Sequence, residues 1–439
     1  MNLYSTNNKD HHIVPLEEAL FHSLPPDNGL YMPVEIPVLP REFFRQAEQY
    51  TFPEIAFTVA KAILKNGMED GELRDIIEEA VNFPAPVEPV MDGITGMYVL
   101  ELFHGPSLAF KDFGARFMSR LMAYFLKRHS REIHILVATS GDTGGAVALG
   151  FLNVPGIKVT ILYPSGKVSA IQEQQLTTNG GNIAALEVSG NFDDCQRLVK
   201  QAFLDKELNE RLNLSSANSI NIARLIPQTF YYFNAYAQLR GIGDQRDIVF
   251  SVPSGNFGNL TAGLIAQRMG LPVRHFVAAT NINDEVPKYL ATGIFDPKPS
   301  VPTLSNAMDV GNPSNFARIL DLFNGDFKEI RKHIAGFSFT DQETGHAIGR
   351  LYNKAGYVAC PHTAVAYLGL KKFLQERPSA DLAGIFLSTA HPCKFLDVYD
   401  EDMKRNIPLP PQILSLQHKQ KQAIKIGKDF KALKDMLLK

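Results

Sequence analysis

The amino-acid sequence predicts an α/β protein of more than one domain, built on open parallel β-sheets. Short, nearly continuous apolar runs occur at residues 133–138, 159–163, 248–252 and 384–389, each closed by a turn and most followed by a helical pattern. Strands of this kind are typical of parallel sheets that helices cover on both faces. The length of 439 residues also exceeds one ordinary core, because domains usually contain roughly 100–200 residues.

Changes in the local pattern of helix, strand and turn signals divide the chain into four segments. The first carries short helical patterns interrupted by Pro and Asn-Gly turns, and it predicts an N-terminal extension domain. The second and third carry the alternation of strands and helices and predict a smaller and a larger α/β lobe, with a hinge near the helical stretch 221–245. The last predicts a linker and an amphipathic helix whose apolar face would contain Phe430, Leu433, Met436 and Leu437. The segments are residues 1–96, 97–216, 217–408 and 409–439.

Composition and charge narrow the expected partners and compartment. The 44 Lys and Arg residues nearly balance the 46 Asp and Glu residues, which gives no electrostatic reason to expect nucleic acid as a partner. The N-terminus lacks signal-peptide and transit-peptide character, and no apolar run approaches the ~20 residues that span a bilayer. Three widely separated cysteines, Cys195, Cys360 and Cys393, favour a reducing compartment. We therefore expect a cytoplasmic protein with no membrane partner.

Lys111 is a candidate for covalent chemistry with an aldehyde. It follows a Gly-Pro turn and precedes a helical pattern, so it should lie at or near a helix start, where the helix dipole disfavours a cation. Its aromatic neighbours make an ammonium group costly to desolvate, so the pKa of Lys111 should fall, as imine formation requires. The alternative is a lysine whose amine extends along the surface to solvent.

Two glycine-rich loops connect buried strands to helices and are suited to anions. Loop 254–259 reads Ser-Gly-Asn-Phe-Gly-Asn, and loop 139–145 reads Thr-Ser-Gly-Asp-Thr-Gly-Gly. Glycine allows a ligand to approach the backbone, and the following helix N-terminus offers N–H groups. Neither loop is a Gly-x-Gly-x-x-Gly or Walker A sequence, and either could be only a tight connecting turn. The residues do not decide which loop takes a cofactor and which takes a substrate.

A polar run before a helix and a threonine at a strand end are further candidates. In the polar run, Asn221 and Arg224 could hold a phosphorylated or carboxylated ligand. Alternatively, Asn218 or Ser219 caps the helix and Arg224 lies on the surface. Thr389 follows an apolar strand, at the end where open α/β sheets bind ligands. Its hydroxyl could donate to a ring nitrogen without protonating it, or Thr389 could merely end the strand.

Two mirrored triplets raise the alternative of a zinc site. They are Cys360-Pro-His362 and His391-Pro-Cys393. Neither triplet has the spacing that zinc ligands usually show. We therefore expect no metal.

Several motifs, taken in order along the chain, resemble bacterial and fungal threonine synthases. The resemblance rests on residues 102–114 (LFHGPSLAFKDFG), 138–144 (ATSGDTG), 252–258 (VPSGNFG) and 304–310 (LSNAMDV), and on 28–33 (NGLYMP) near the N-terminus. It extends over about the first 400 residues. It implies a fold-type-II pyridoxal-phosphate enzyme of the tryptophan synthase β-like architecture, with two open twisted-sheet lobes and an N-terminal extension domain.

The resemblance also implies an activity and a set of site residues. The family converts O-phospho-L-homoserine and water to L-threonine and phosphate with pyridoxal 5'-phosphate. We expect either a monomer or a homodimer. Lys111 would form the Schiff base and serve as the catalytic base. The cofactor phosphate would be bound by Gly255, Asn256, Phe257, Gly258 and Asn259, with Thr389 at the pyridine nitrogen and Asp142 near the phenolic oxygen. The loop of Ser140, Gly141, Asp142 and Thr143 would receive the substrate carboxylate, and Lys167, Asn221 and Arg224 the substrate phosphate.

Two other functions are consistent with parts of this pattern. Another fold-type-II enzyme, such as a threonine or serine dehydratase or a cysteine synthase, would share Lys111 and a glycine loop. Such an enzyme would have no use for residues 304–310. A non-catalytic phosphate- or nucleotide-sensing protein could use the same loops, but it would be colourless, whereas we expect a yellow protein.

Overall fold

The computed structural model describes residues 1–9, 13–65, 67–128, 132–378 and 381–438. Packing groups the chain into two compact units, each assembled from distant segments. Unit 1 contains Met1 and residues 32–105 and 225–408, and unit 2 contains residues 2–31, 106–224 and 409–439.

Strands and helices alternate along most of the chain. The strands are β1 (Asn2–Ser5), β2 (Val14–Pro15), β3 (Tyr31–Pro33), β4 (Val87–Pro89), β5 (Met97–Glu101), β6 (Ile133–Ala138), β7 (Ile157–Pro164), β8 (Ile183–Val188), β9 (Leu214–Ser215), β10 (Asp247–Pro253), β11 (Val273–Thr280), β12 (Ile334–Ser338), β13 (Leu382–Ser388) and β14 (Ile424–Ile426). The helices are α1 (Leu16–His22), α2 (Arg41–Arg45), α3 (Phe52–Leu64), α4 (Asp70–Ala80), α5 (Lys111–Leu126), α6 (Asp142–Phe151), α7 (Ala170–Thr177), α8 (Phe192–Leu204), α9 (Lys206–Arg211), α10 (Ile222–Leu225), α11 (Phe230–Gly241), α12 (Gly258–Arg268), α13 (Glu285–Thr292), α14 (Phe316–Leu322), α15 (Phe327–His333), α16 (Asp341–Ala355), α17 (Pro361–Gln375), α18 (Glu401–Arg405), α19 (Pro411–Leu414) and α20 (Phe430–Leu437). Short 3-10 helices lie at Ala47–Gln49, Ile226–Thr229, Asn306–Met308 and Pro392–Val398. Within the described ranges, no helix has both the length and the apolar character needed to cross a bilayer.

Unit 1 is built on a six-stranded sheet in the order β12-β11-β10-β13-β5-β4. The first five strands run parallel, and β4 pairs antiparallel with β5 at the edge. The central strands β10 and β13 are buried along almost their whole length, and α17 packs against both. Burial of both sheet faces explains why these strands are continuously apolar rather than alternating.

Unit 2 is built on a five-stranded parallel sheet in the order β14-β8-β7-β6-β9. Helix α8 packs against β6 and β7, and α6 packs against β7. The predicted strands at 133–138 and 159–163 are β6 and the inner part of β7, and those at 248–252 and 384–389 correspond to β10 and β13. The prediction of an α/β fold with parallel sheets is therefore confirmed.

The packing units do not follow the four segments predicted from the sequence. Residues 2–31 of the predicted extension belong to unit 2, whereas residues 32–96 belong to unit 1. Strand β5, which begins the predicted smaller lobe, pairs with β13 and belongs to unit 1. The four segments were predicted from local sequence pattern. Pairing between strands that are distant in the sequence determines which residues pack into each unit. The four-segment division stays a prediction, and its last boundary, after residue 408, is also a boundary between units.

The C-terminal segment completes the core of unit 2. Strand β14 adds a parallel edge strand beside β8, which the Lys- and Gln-rich sequence did not predict. The amphipathic helix is confirmed as α20. Leu433 and Leu437 are buried in a cluster with residues of α8 and the sheet, and Phe430 and Met436 pack against that cluster.

We expect Leu433→Ala to lower the free energy of unfolding by about 2–4 kcal/mol, because a buried Leu→Ala change loses apolar burial and leaves a cavity. Leu204→Ala is a matched control, since Leu204 lies in the same unit and is 72% exposed. It should change the free energy by less than about 0.5 kcal/mol. Equilibrium urea unfolding followed by circular dichroism measures both, and equal losses would contradict the packing of α20 in this core.

Candidate active site

Lys111 is the first residue of α5, in unit 2. The preceding turn contains Leu108 with a φ of 58°, and the Ser107 N–H donates to Asp112 Oδ2 at 2.8 Å. Lys111 Nζ lies 5.7 Å from the centre of the Phe110 ring. The predicted helix start and aromatic neighbour are confirmed, and Lys111 is half-buried.

Arg224 lies beside the first turn of α5. Its Nη1 donates to the Ala217 carbonyl, and its Nη2 donates to the Lys111 carbonyl at 3.5 Å. Gly114 permits this approach, because a Cβ there would lie 2.7 Å from Arg224 Nε. Burial lowers the pKa of Arg224 to about 10, and the nearby Asp112 carboxylate opposes that shift. The alternative of a surface arginine is therefore wrong: Arg224 is 2% exposed and stays charged at neutral pH.

Asn221 holds the segment that carries Arg224. Its Nδ2 donates to the Leu20 carbonyl at 2.9 Å and to Ser23 Oγ at 3.1 Å. Its Oδ1 accepts from the Ala223 N–H at 3.1 Å, so Asn221 satisfies a backbone N–H in the first turn of α10. The observed contacts of Asn221 are thus all made to neighbouring protein groups.

The loop between β6 and α6 is shaped by its own hydroxyl and glycines. Thr139 Oγ1 accepts from the N–H groups of Gly141 and Gly144 at 3.0 and 2.9 Å. Gly141 has a φ of 136°, and a Cβ there would lie 2.5 Å from the Gln172 amide carbon. Only glycine combines that backbone conformation with that close approach.

Asp142 begins α6 and is buried. Its Oδ1 accepts from Gln172 Nε2 at 3.0 Å, and Gln172 was not among the predicted residues. Ser140 and Thr143 flank this contact and are half-buried, whereas Lys167 is exposed in the turn after β7. The structure therefore gathers the predicted carboxylate-binding residues at one helix start.

In unit 1, the loop between β10 and α12 has a fixed, unusual backbone. Phe257 is left-handed with a φ of 61°. Gly255 has no room for a side chain, since a Cβ would lie 2.7 Å from Met308 Cα. Asn256 Oδ1 accepts from the Ser314 N–H at 2.6 Å. The loop leads directly into α12, and the first N–H groups of a helix have no acceptor within the helix.

Asn259, in the first turn of α12, presents an unsatisfied donor. Its Oδ1 accepts from the hydroxyls of Tyr231 and Tyr232 at 2.6 and 2.7 Å. Its Nδ2 is buried and has no hydrogen-bond partner among the described residues. A buried donor left in this way costs about 1–3 kcal/mol, and a ligand acceptor would remove that cost. This donor, the tight glycine backbone and the helix N-terminus together fit a phosphate group.

Residues 304–310 support that loop. Met308 packs against Gly255, and the Ala307 N–H donates to His362 Nε2 at 3.2 Å. Asp309 Oδ1 accepts from Asn281 Nδ2 at 2.9 Å and from a threonine hydroxyl, Thr303 Oγ1, at 2.7 Å. Burial raises the pKa of Asp309 to about 6 despite these donors.

Thr389 directly follows β13 and is buried. A cavity of about 260 Å³ lies at the carboxyl ends of β5 and β13, where Glu101 ends β5 and His391 follows Thr389 by two residues. Burial lowers the pKa of His391 to about 4, so its ring is neutral at physiological pH. The cavity is lined by Glu101, Phe103, Tyr357, Val358, His391, Pro392, Asn406, Ile407 and Pro408.

The mirrored Cys-Pro-His and His-Pro-Cys triplets make local contacts. His391 Nδ1 accepts from the Cys393 N–H at 3.1 Å, and Cys360 Sγ lies 3.1 Å from Thr363 Oγ1. Across the described residues, no group of three His, Cys, Asp or Glu side chains is arranged to hold a metal ion.

Comparison with known proteins identifies the family. Residues 91–387 match the model of pyridoxal-phosphate dependent enzymes, residues 2–81 that of the threonine synthase N terminus, and residues 363–437 that of the threonine synthase C-terminal region. The threonine synthase of Haemophilus influenzae is 43% identical over 440 residues, with 100% of both chains covered. That of Escherichia coli K12 is 40% identical, covering 100% of this chain and 99% of the relative.

This chain belongs to the threonine synthase family.

Solved structures agree with this assignment. Threonine synthase from yeast superposes with a TM-score of 0.92 at 31% identity, covering 100% of this chain and 98% of that one. A PLP-bound threonine synthase from Brucella melitensis gives 0.90 at 32% identity, with the same coverage. A threonine deaminase from Solanum lycopersicum gives 0.53 at 14% identity, which shows a shared fold alone. The predictions of family and fold type are confirmed.

We expect Gly255→Ala to weaken binding of pyridoxal 5'-phosphate at least about tenfold, because the new Cβ forces the loop or the Met308 backbone to move. Gly349→Ala on α16 is the control, since no atom lies within 4 Å of a Cβ there. Titration of cofactor into the apoprotein, followed by absorbance, measures both. Unchanged affinity in Gly255→Ala would show that this loop does not bind the phosphate.

We expect Asp309→Asn to change how stability depends on pH. A carboxyl group whose pKa rises on folding contributes most below its unfolded pKa of about 3.9 and loses that contribution as pH rises through the folded value. For Asp309 the folded value is about 6, so the wild type should lose stability relative to the variant between about pH 4 and 7. Calorimetric unfolding midpoints across this range test it, and parallel curves would count against a raised pKa.

Proposed function

We propose that this protein is a threonine synthase, converting O-phospho-L-homoserine and water to L-threonine and phosphate with pyridoxal 5'-phosphate. The observation that carries the proposal is the family match over the whole chain, at 40–43% identity to threonine synthases that it covers end to end. The predicted activity and cofactor are those of this family. A dehydratase is the second candidate, but its structural likeness is confined to the fold.

We propose that the cofactor is bound through three sets of contacts. Lys111 Nζ carries the covalent link, at the start of α5 and beside the Phe110 ring. Loop 255–259 binds the phosphate, which would give the buried Asn259 Nδ2 an acceptor. Thr389 donates to the pyridine nitrogen, and a hydroxyl there is too weak an acid to protonate the ring.

The substrate is proposed to bind through unit 2. Ser140, Gly141 and Thr143, at the start of α6, receive the substrate carboxylate, with Asp142 oriented near the cofactor's phenolic oxygen. Arg224 is proposed to attract the substrate phosphate, because a buried guanidinium acts in a low dielectric and pairs well with phosphate oxygens. Asn221 supports this role by holding the Arg224 segment. Lys167 adds a second, exposed cation.

The proposed chemistry assigns proton transfers to Lys111. When bound, the cofactor ring accepts electrons from the substrate's carbon atoms. Once the substrate amine displaces it, Lys111 Nζ is a free amine that can take the Cα proton. Loss of a Cβ proton then expels phosphate from Cγ with the electrons of the Cγ–O bond, and a nearby cation such as Arg224 stabilises the developing charge. Protonation at Cγ, addition of water at Cβ and return of a proton to Cα complete the balance.

We also propose that the protein acts in the cytoplasm as a monomer or homodimer, without nucleic acid. Support comes from the nearly balanced charge and the three separated cysteines. All three cysteines are buried, and none forms a disulfide with the others. Light scattering during size-exclusion chromatography would decide between the two oligomeric states.

The decisive experiment incubates the yellow, cofactor-loaded protein with O-phospho-L-homoserine and measures phosphate and threonine. Both should appear in equal amounts. In a parallel reaction, L-threonine is the only substrate. Deamination of threonine without phosphate release from O-phosphohomoserine would overturn the proposal in favour of a dehydratase, and a colourless protein in favour of a sensing protein.

We expect Lys111→Ala to lose threonine formation by at least about 10³-fold, because the base and the covalent link are both removed. Borohydride should no longer fix the cofactor to the chain. Lys127→Ala is the matched control: Lys127 caps the far end of the same helix and is exposed. It should keep both properties. Fixation that persists in Lys111→Ala would identify another lysine as the anchor.

A further inference from the structure

Gln172 joins the start of α7 to the start of α6 within unit 2. Its Oε1 accepts from the Ser169 N–H at 3.1 Å, and Ser169 Oγ accepts from the Gln172 N–H at 3.3 Å. These two bonds form a capping box. At the same time, Gln172 Nε2 donates to Asp142 Oδ1 at 3.0 Å, and the side chain is 1% exposed against Gly141. One amide therefore serves a helix cap and a functional loop.

The amide sets this capping box apart from the others in the described ranges. The boxes of α3, α8 and α16 have Glu54, Asp194 and Glu343 at the corresponding position. Hydrogen bonds from the backbone lower the pKa of all three carboxyl groups, so each is ionised at neutral pH. In this protein, a carboxylate is therefore sufficient at that position when the side chain forms only a capping box.

A carboxylate would be unsuitable at residue 172 because this side chain also contacts the Asp142 carboxylate. The donor atom of Gln172 is 3.0 Å from Asp142 Oδ1. Two carboxylates at such a distance repel each other, so one of them keeps its proton to a higher pH and the apparent pKa of the pair rises. The neutral amide satisfies the cap and also donates to Asp142 without adding a second negative charge.

We infer that Gln172 is a positioning residue for the reaction: its amide holds the Asp142 carboxylate, and with it the loop that receives the substrate carboxylate. The inference rests on the proposed function of residues 140–143. The same helix also supports the turn before Lys111, since Gln175 Nε2 donates to the Ser107 carbonyl at 3.0 Å. Helix α7 therefore fixes both functional loops of unit 2.

Other ionisable groups lie on the elements packed around this contact. Lys111, Asp112 and Arg116 are on α5, which packs against α6, and Tyr163 is on β7. Glu173, next to Gln172 on α7, is paired with Lys421 at 2.7 Å. These groups are identical in every variant of the test below, so a difference between variants reports on residue 172.

The test substitutes Gln172→Glu in the cofactor-loaded full chain and measures kcat/KM for O-phospho-L-homoserine from pH 6 to 9. A glutamate keeps the capping box. When protonated it also keeps a donor toward Asp142, so at about pH 6 activity should be within roughly threefold of wild type. As pH rises through the pair's apparent pKa, both groups ionise and repel, and kcat/KM should fall at least about tenfold relative to wild type. The unfolding midpoint of the same samples should fall in the same pH range, because stability that depends on the raised pKa is lost above it.

Gln174→Glu is the matched control, since it adds the same charge to the same helix at a half-buried position. Its pH profile should match the wild type. Gln172→Met removes the donor without adding charge and should lower kcat/KM about tenfold at every pH. A Gln172→Glu profile parallel to that of Gln174→Glu would overturn the inference. Should Gln172→Glu not fold, a Gln172→Met enzyme with wild-type kcat/KM would overturn it. A wild-type protein that makes no threonine would instead overturn the proposed function.

Discussion

The start of a helix is the constraint on which the proposed chemistry depends. The first N–H groups of an α-helix have no acceptor within the helix, and in parallel α/β architecture these groups face the edge at which the preceding strand ends. Lys111, Asp142 and Gln172 lie in the first turns of α5, α6 and α7, and Asn259 in the first turn of α12. Each of these side chains therefore extends from the first turn of a rigid helix.

Close backbone approach is the second requirement, and glycine meets it in both units. Gly114 lets the Arg224 guanidinium lie against the first turn of α5, and Gly255 lets the proposed phosphate loop lie against Met308. In both cases the group brought near is backbone or a buried cation that could not move aside cheaply. The glycines therefore determine distances between elements, in addition to allowing unusual φ values.

The sequence predicted those features that depend on residues close together in the chain. β6 and β10 were recognisable because both faces are buried, and Lys111 because a turn precedes an amphipathic helix. Strand β14 was missed because three residues in a polar segment carry no apolar run, and its place beside β8 depends on a distant partner. The units were not predictable for the same reason, since β5 joins a sheet whose other parallel strands follow it by more than a hundred residues.

The candidate site shows the same difference between features set by local sequence and features set by distant contacts. Residue types and spacing were enough to propose loop 255–259 as an anion site, because an anion loop is a local structure. They did not distinguish Asn221, which supports the segment, from Arg224, which the segment presents. They also passed over Gln172, because Ser169-x-x-Gln172 is a complete capping box in the sequence and the second contact of Gln172 depends on a distant residue. What makes the glutamine informative is the identity of its second partner, Asp142, thirty residues away on another helix. A side chain that satisfies one local rule in an unusual way therefore marks a tertiary contact, and here that contact involves a residue proposed to act near the cofactor.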